Sequence, residues 1–329
     1  MGIITASFAP DGSRLVTGSS GGYLLEWNST TGERKTLLDP EGVDDVNPEV
    51  VCVKDGIKVE APFQLVRLSE QMRGSSITCV RFSPDGEYFL VGAGNGVVVL
   101  WNAGSRGELY AWEAHQDRVD ALAMSRDARW IATGSRNDTH ATLRAWRTGI
   151  GGPPGVTITE AFSDDSHSGG VSSVDFSPDN RCLAAGGFTG SGHTGPLFYD
   201  LETGRRVGSL HFDMTQSLQY SPDGRLLATG GDDGSVKLWD IAGAACIFEV
   251  PAHSRPVGTV AFSADGRRLI SGGWDGEVKI WDVASRTCLD QCSYEGIVVT
   301  CRLDADGMTL DVAEKTEGSE RARIHRLEV

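Results

Sequence analysis

No apolar run in the 329 residues approaches the ~18 needed to cross a bilayer as a helix, so no membrane span is expected. The N-terminus, MGIITASFAP, has neither the basic stretch nor the apolar core of a signal peptide. Gly2 invites N-myristoylation, but Ala6 stands where that motif needs Ser or Thr. Basic residues are in deficit, with 30 Lys and Arg against 45 Asp and Glu, a net charge of −15 and a pI near 4.9. Counterion release on a phosphate backbone needs clustered cations, so direct nucleic-acid binding is not expected, although one local basic patch remains compatible with the charge. Seven cysteines, an odd number at irregular spacing, include Cys79, Cys182 and Cys301 within strand-like patterns. Reduced, buried thiols in an intracellular protein of the cytoplasm or nucleus account for them better than disulfides. Cys288 and Cys292 are the closest pair, and no second pair at zinc spacing accompanies them, so no metal or cofactor is expected. Helix-length apolar periodicity is also missing.

What is present is a repeat. An aromatic or aliphatic residue followed by a Ser-Pro-Asp-Gly-like turn recurs at Phe8, Phe82, Met124, Phe176, Tyr220, Phe262 and Leu303. From Phe82 onward the spacings are 42, 52, 44, 42 and 41 residues, whereas the first gap, Phe8 to Phe82, is 74. Forty-two glycines against 12 prolines suit many tight turns between short strands. A period near forty with four strand-like runs per unit marks propeller blades. In the fifth unit, Thr215–Tyr220 reads as strand a, SPDG as the a–b turn, 225–229 as strand b, Ser235–Trp239 as strand c and Cys246–Val250 as strand d. The expectation is an all-β, seven-bladed β-propeller of four-stranded blades. The blades run over about 1–38 plus 63–72, 73–113, 114–165, 166–210, 211–251, 252–292 and 293–329, with an acidic insert at 39–62.

VKLWD and VKIWD, each after a GDDG- or GWDG-like turn, resemble the WD-repeat family over Ile3 to Leu327, the insert excepted. That resemblance implies a ring whose usual work is holding other proteins together. In blade six it picks out His253, Ser271, Asp275 and Trp281, and in blade five His211, Thr229, Asp233 and Trp239. Ser, His and Asp also suggest a hydrolase, but one active site does not need copies in successive blades. The resemblance implies instead a buried hydrogen-bond chain tying the d–a loop to the b–c turn. Other blades keep parts of it. Blade three has His115, Thr133 and Trp146 with Asp138 displaced, and blade four His167 with Ala185 and Tyr199. Blade two carries Arg73, Val91 and Asn95 around Trp101, blade one Thr17, Gly21 and Trp27, and blade seven Val312 and His325. Blades five and six should be the most rigid, and the seam between blades seven and one the softest.

The period breaks in three places. LDPEGVDDVNPE is acidic, and the VVCVKDGIKVEAP that follows reads as a hairpin about Asp55-Gly56. If 63–69 is strand d of blade one, the insert lies on the bottom face; if 35–38 is that strand, it lies on top. The b–c loops of blades three and four are enlarged and bring His140 and His193 towards one rim. GAGNG at 92–96 resembles a phosphate loop but leads into a strand, so no helix N-terminus is offered to an anion. Only four residues follow His325, so the last blade is expected to close with three strands, to be covered by the insert hairpin, or to belong to a longer chain. An uncovered edge would invite pairing with another chain.

The leading expectation is a non-catalytic scaffold, a monomeric propeller in a hetero-complex, gripping protein or peptide partners on its top face. In such rings the pocket residues stand at the start of strand a and just before the b–c turn Asp. Those positions are Thr78, Asp120, Ser172, Gln216 and Gly258, then Asp232 and Trp274. Trp274, a large aromatic at a turn, suits an interface anchor. Arg118 and Arg136 beside Asp120 suit a carboxylate or phosphate. The alternatives are a propeller hydrolase or lactonase, for which no inward His/Asp set is found, and a nucleic-acid adaptor. The Trp-Asp-x-Arg ending of ubiquitin-ligase adaptors is absent, since Trp239-Asp240 and Trp281-Asp282 lead into Ile241-Ala242 and Val283-Ala284.

Overall fold

The fold is known from a computed structural model. It describes residues 3–28, 34–38, 51–54, 57–59, 72, 74–136, 142–150, 156–167, 169–187, 195–210, 214–303, 309–315 and 322–328. His211, Arg73, Asp138, His140, His193, the acidic run 39–50 and the segment 60–71 lie outside the described residues.

The chain is an all-β propeller. The a strands are β1 (Ile3–Phe8), β7 (Ile77–Phe82), β11 (Ala121–Met124), β15 (Val171–Phe176), β19 (Thr215–Tyr220), β23 (Val257–Phe262) and β27 (Ile297–Leu303). Each packs beside the next around a central channel, and β27 returns to β1. Six sheets are four-stranded blades with antiparallel neighbours in chain order. In the first, β1 is followed by β2 (Arg14–Ser19), β3 (Leu24–Asn28) and β4 (Arg34–Leu38). The 35–38 segment is thus paired with strand c of the first sheet, as one of the two sequence alternatives had it.

The expectation of seven four-stranded blades needs correction: there are six, and the last sheet, expected either to lack its outer strand or to be covered by the insert hairpin, has five strands because the hairpin pairs with it. It is built from β27, β28 (Thr309–Lys315) and β29 (Ala322–Glu328), to which the insert adds β5 (Val51–Lys54) and β6 (Ile57–Val59). β5 pairs parallel to β29, Ile324 opposite Cys52, and β6 returns antiparallel. The physical reason is the edge: a bare β29 would present a row of unpaired N–H and C=O groups, and the insert supplies the missing ladder.

The repeated turn is a hydrogen-bond unit, which explains why Ser and Asp recur together. In blades two to six the Ser hydroxyl (Ser83, Ser125, Ser177, Ser221, Ser263) donates to the Asp two residues on at 2.5–2.7 Å. The same hydroxyl accepts the N–H that opens strand b at 2.8–3.0 Å. These bonds, the serine's foremost, hold the Asp179, Asp223 and Asp265 carboxyls below the usual range. The fifth turn position is left-handed at Gly12, Gly86, Gly224 and Gly266; Asn180 and Ala128 take it in blades four and three, at φ 57° and 54°. Asn tolerates that region and Ala is strained there.

Strands b and c carry the apolar faces buried between blades, as in LVT around Leu15–Val16 and LLAT around Leu227–Ala228, while the d strands are largely exposed. Polar side chains on the a strands then tie blade to blade. Thr5 and Ser7 accept the N–H groups of Val80 and Phe82 at 3.1 and 3.2 Å. Ser173 and Asp175 do the same for Leu218 and Tyr220 (3.0 and 2.8 Å), and Ser217 and Gln219 for Val260 and Phe262 (3.1 and 2.6 Å). Alternate positions of a strand share a face, which is why the acceptors are spaced by two. At the closing seam Arg302 of β27 donates to the Ala9 and Pro10 carbonyls at 2.6 and 2.9 Å, and its Nε meets Asp311 at 3.2 Å.

Candidate functional site

The blade-six quartet forms as a connected chain. His253 Nε2 lies 2.8 Å from Ser271 Oγ, His253 Nδ1 lies 3.1 Å from Asp275 Oδ1, and Trp281 Nε1 donates to Ser271 Oγ at 3.0 Å. Burial lowers the His253 pKa against the opposing pull of Asp275, which keeps the ring neutral. Nδ1–H then donates to Asp275 and Nε2 accepts from Ser271. Burial raises the Asp275 carboxyl, but bonds from the N–H groups of Glu277 and Ser254, with His253, leave it below the usual range. The distances match those of a nucleophile, a base and its orienting acid. Ser271 is nonetheless fully buried and its oxygen accepts the indole N–H, so no substrate carbonyl can approach it. Oxygens of Asp275 and Glu277 also lie near His253 as a possible metal group, but both ring nitrogens of His253 are already bonded within the protein.

Other blades keep what their residues allow. Trp239 and Trp146 donate to Thr229 and Thr133 at 2.9 and 3.0 Å, His115 meets Thr133 at 2.9 Å, and Trp27 donates to Thr17 at 3.0 Å. Asp233 accepts the N–H of Ser235 at 2.9 Å. In blade four, where Ala185 offers no hydroxyl, His167 turns to the Ala185 carbonyl at 3.1 Å. In blade two Val91 stands at the acceptor position, and the buried Trp101 N–H has no acceptor among the described residues. The five-stranded sheet has a set of its own. His325, at the tryptophan position, meets the buried Glu314 at 3.0 Å; Glu314 accepts the Gly296 N–H at 2.8 Å; and the Tyr294 ring lies 4.6 Å from His325. Nothing in the repeat pattern announces Glu314. Its signal is a lone acid where strand b otherwise carries glycine, alanine or serine.

On the top face five of the named residues are brought together. Asp120 is gripped by Arg118 Nε at 2.8 Å and accepts the Arg136 backbone N–H at 3.0 Å. The Arg136 guanidinium donates to Gln216 Oε1 at 3.0 Å, and Gln216 donates to Asp232 at 2.9 Å. Because Gln216 belongs to blade five and Arg136 to blade three, this bridge passes over blade four at the channel mouth. Burial pushes the Asp120 carboxyl up, opposed by Arg118 and Arg136. Ser172 and Thr78 sit deeper. Ser172 donates to the Thr215 carbonyl and Thr78 to Val119, each on the neighbouring blade, so both hydroxyls join blades. Trp274 stands apart, half-buried, with its indole laid over Gly258: a Cβ there would come within 2.7 Å of Nε1. Gly258 is the one glycine at the start of an a strand among the pocket positions, and the indole fills its place. Among the cysteines, Cys79 and Cys301 are buried and pushed up to about 12 by burial, whereas Cys246 and Cys288 are exposed.

Comparison with known proteins agrees with this geometry. The family described as "WD domain, G-beta repeat" matches residues 66–102, 107–143, 159–194, 207–240 and 244–282, more than half of the chain. The chain belongs to the WD-repeat family. "Protein HIR1" of Yarrowia lipolytica is 23% identical over 200 residues, covering 55% of this chain and 17% of the relative. "WD repeat-containing protein 1" of Xenopus tropicalis is 25% identical over 255 residues, 74% of this chain and 34% of the relative. "Polyadenylation factor subunit 2" of Candida albicans is 24% identical over 124 residues, 37% of this chain and 21% of the relative. The chain therefore spans about a third or less of the length of these relatives. A chain in a crystal structure of a mitotic checkpoint complex superposes with a TM-score of 0.73 at 20% identity, covering 99% of this chain and 89% of that one, which shows the shared fold.

Two measurements check the quartet account. Val91→Thr places an acceptor under the Trp101 N–H without changing side-chain volume, and should stabilise the protein by about 1 kcal/mol in chemical denaturation; no gain would mean the indole is already satisfied. His253→Gln should cost about 1–3 kcal/mol at pH 8 by breaking the chain. A histidine with a lowered folded pKa contributes stability that is present above its unfolded pKa of 6.5 and lost as pH falls through the folded value. The variant should accordingly lose less stability than wild type between pH 7.5 and 5.

Proposed function

We propose that the protein is a non-catalytic interaction scaffold that binds a protein or peptide partner on its top face, as a subunit of a larger intracellular assembly. Trp274 carries this reading. Its half-buried indole lies in the Gly258 cradle and has no hydrogen-bond acceptor for Nε1 among the described residues. A rigid aromatic with an unused donor suits an anchor that a partner backbone carbonyl can complete. Apart from it on the same face, the Arg118, Asp120, Arg136, Gln216 and Asp232 network supplies both signs of charge on a fixed frame. It fits a partner with polar groups flanking an apolar contact. The buried hydroxyl of Ser271 supports a structural rather than chemical part for the Ser-His-Asp set. Relatives and neighbours whose names speak of a subunit and a complex support the assembly role. The seventh, five-stranded sheet is read as the blade that completes the ring.

Affinity purification with quantitative mass spectrometry should show partners falling about tenfold or more on Trp274→Ala, the loss typical of a central aromatic anchor. Thermal unfolding should stay near wild type because the side chain is not part of the core. An unchanged partner set from a folded variant would remove the top-face assignment.

A further inference from the structure

The lower end of the central channel holds a cavity of about 380 Å³, walled by the ends of the a strands and the a–b turns. The residue just before each repeated aromatic faces this space, and in β7, β15, β19 and β27 it is Arg81, Asp175, Gln219 and Arg302. Arg302 is committed to the Ala9 and Pro10 carbonyls and to Asp311. Arg81 is not. Its side chain is exposed to the cavity, and no carboxylate lies within ion-pair distance of it among the described residues. Arg126 joins it from the blade-three turn, where Arg replaces the usual Pro; its backbone N–H is fixed by Asn180 at 3.0 Å while its guanidinium has no carboxylate partner among the described residues. Gln219 gives its oxygen to the Phe262 N–H at 2.6 Å, which leaves its NH₂ donors facing the same space without a protein acceptor among the described residues.

In a chain of net charge −15, two guanidinium groups with no carboxylate in ion-pair distance among the described residues, lining one cavity together with an amide donor, are the exception. Planar guanidinium forks match the oxygens of a tetrahedral oxyanion. The acid bordering the site is Asp175, whose Oδ2 accepts the Tyr220 N–H at 2.8 Å and whose charge is felt by both arginines. Burial pushes this carboxyl up to about 6, so the group that would repel an anion is held at a disadvantage in its charged form. We propose that the lower mouth of the channel binds a phosphate group, free or carried on a protein side chain, through the Arg81 and Arg126 guanidinia with the Gln219 amide as a third donor. The cavity has room for such a group and a few atoms beyond it, not for a nucleic-acid duplex.

Calorimetric titration of the full chain at pH 7.5 and constant ionic strength tests this with two probes, inorganic phosphate and acetyl-Gly-phosphoSer-Gly-amide. Saturable one-site binding is expected, weakened about tenfold or more by either Arg81→Gln or Arg126→Gln. It should be unchanged by Arg267→Gln on an exposed turn and tightened by Asp175→Asn. Saturation by both probes means free phosphate suffices; saturation by the peptide alone assigns the site to a phosphorylated protein. Both arginine side chains are exposed, so the variants should keep the wild-type melting temperature. No saturable binding of either probe to the wild type, or wild-type affinity in both folded arginine variants, overturns the proposal.

Discussion

A blade cannot stand alone. Its b and c strands are apolar on both faces, and each face is covered by the neighbouring blade, so every sheet depends on the ring being closed. In a row of sheets the cost of the two bare ends would fall on the first and last, and the chain meets it at one seam. There Arg302 reaches from β27 into the first a–b turn and bonds two carbonyls. A strand from the insert covers the far edge of the same sheet. The expectation of a soft seam rested on the quartets alone. The repeated quartet is thinnest there, yet a guanidinium clamp and a buried Glu314–His325 pair take its place.

The quartets show how a polar network in an apolar setting must be satisfied as a whole. Where a threonine or serine hydroxyl is present, tryptophan donates to it in blades one, three, five and six. Where the acceptor is missing, the outcome depends on what else is near. His167 finds a backbone carbonyl, whereas Trp101 finds no acceptor among the described residues. Geometry alone would make Ser271, His253 and Asp275 a triad; burial of the oxygen and its occupation by an indole are what separate cement from catalyst.

Features set within one repeat were legible in the sequence. The Ser-x-Asp turn, the Asp-Gly hairpins and the His/Ser/Asp/Trp offsets are local and recur, so spacing together with the resemblance to the WD-repeat family brought them out. Contacts between repeats were not. The insert hairpin was one of three expected covers for the last edge, but its parallel pairing of β5 with β29 joins residues some 270 positions apart and leaves no periodic trace that would have chosen it. The Arg136 bridge to Gln216 likewise skips a blade, and each residue alone reads as an ordinary surface polar group. Of the candidate site, the positions Asp120, Gln216 and Asp232 were found because the repeat fixes them. That Thr78 and Ser172 turn inward to the next blade depends on a neighbour the repeat does not encode.

Hydrogen–deuterium exchange of wild type and Arg302→Met reads the closure of the ring directly. The account predicts protection lost in β1, β27 and β28, with β19 and β23 nearly unchanged at early times. Equal protection at the seam in both proteins would contradict it, because the sheets would then hold without the clamp.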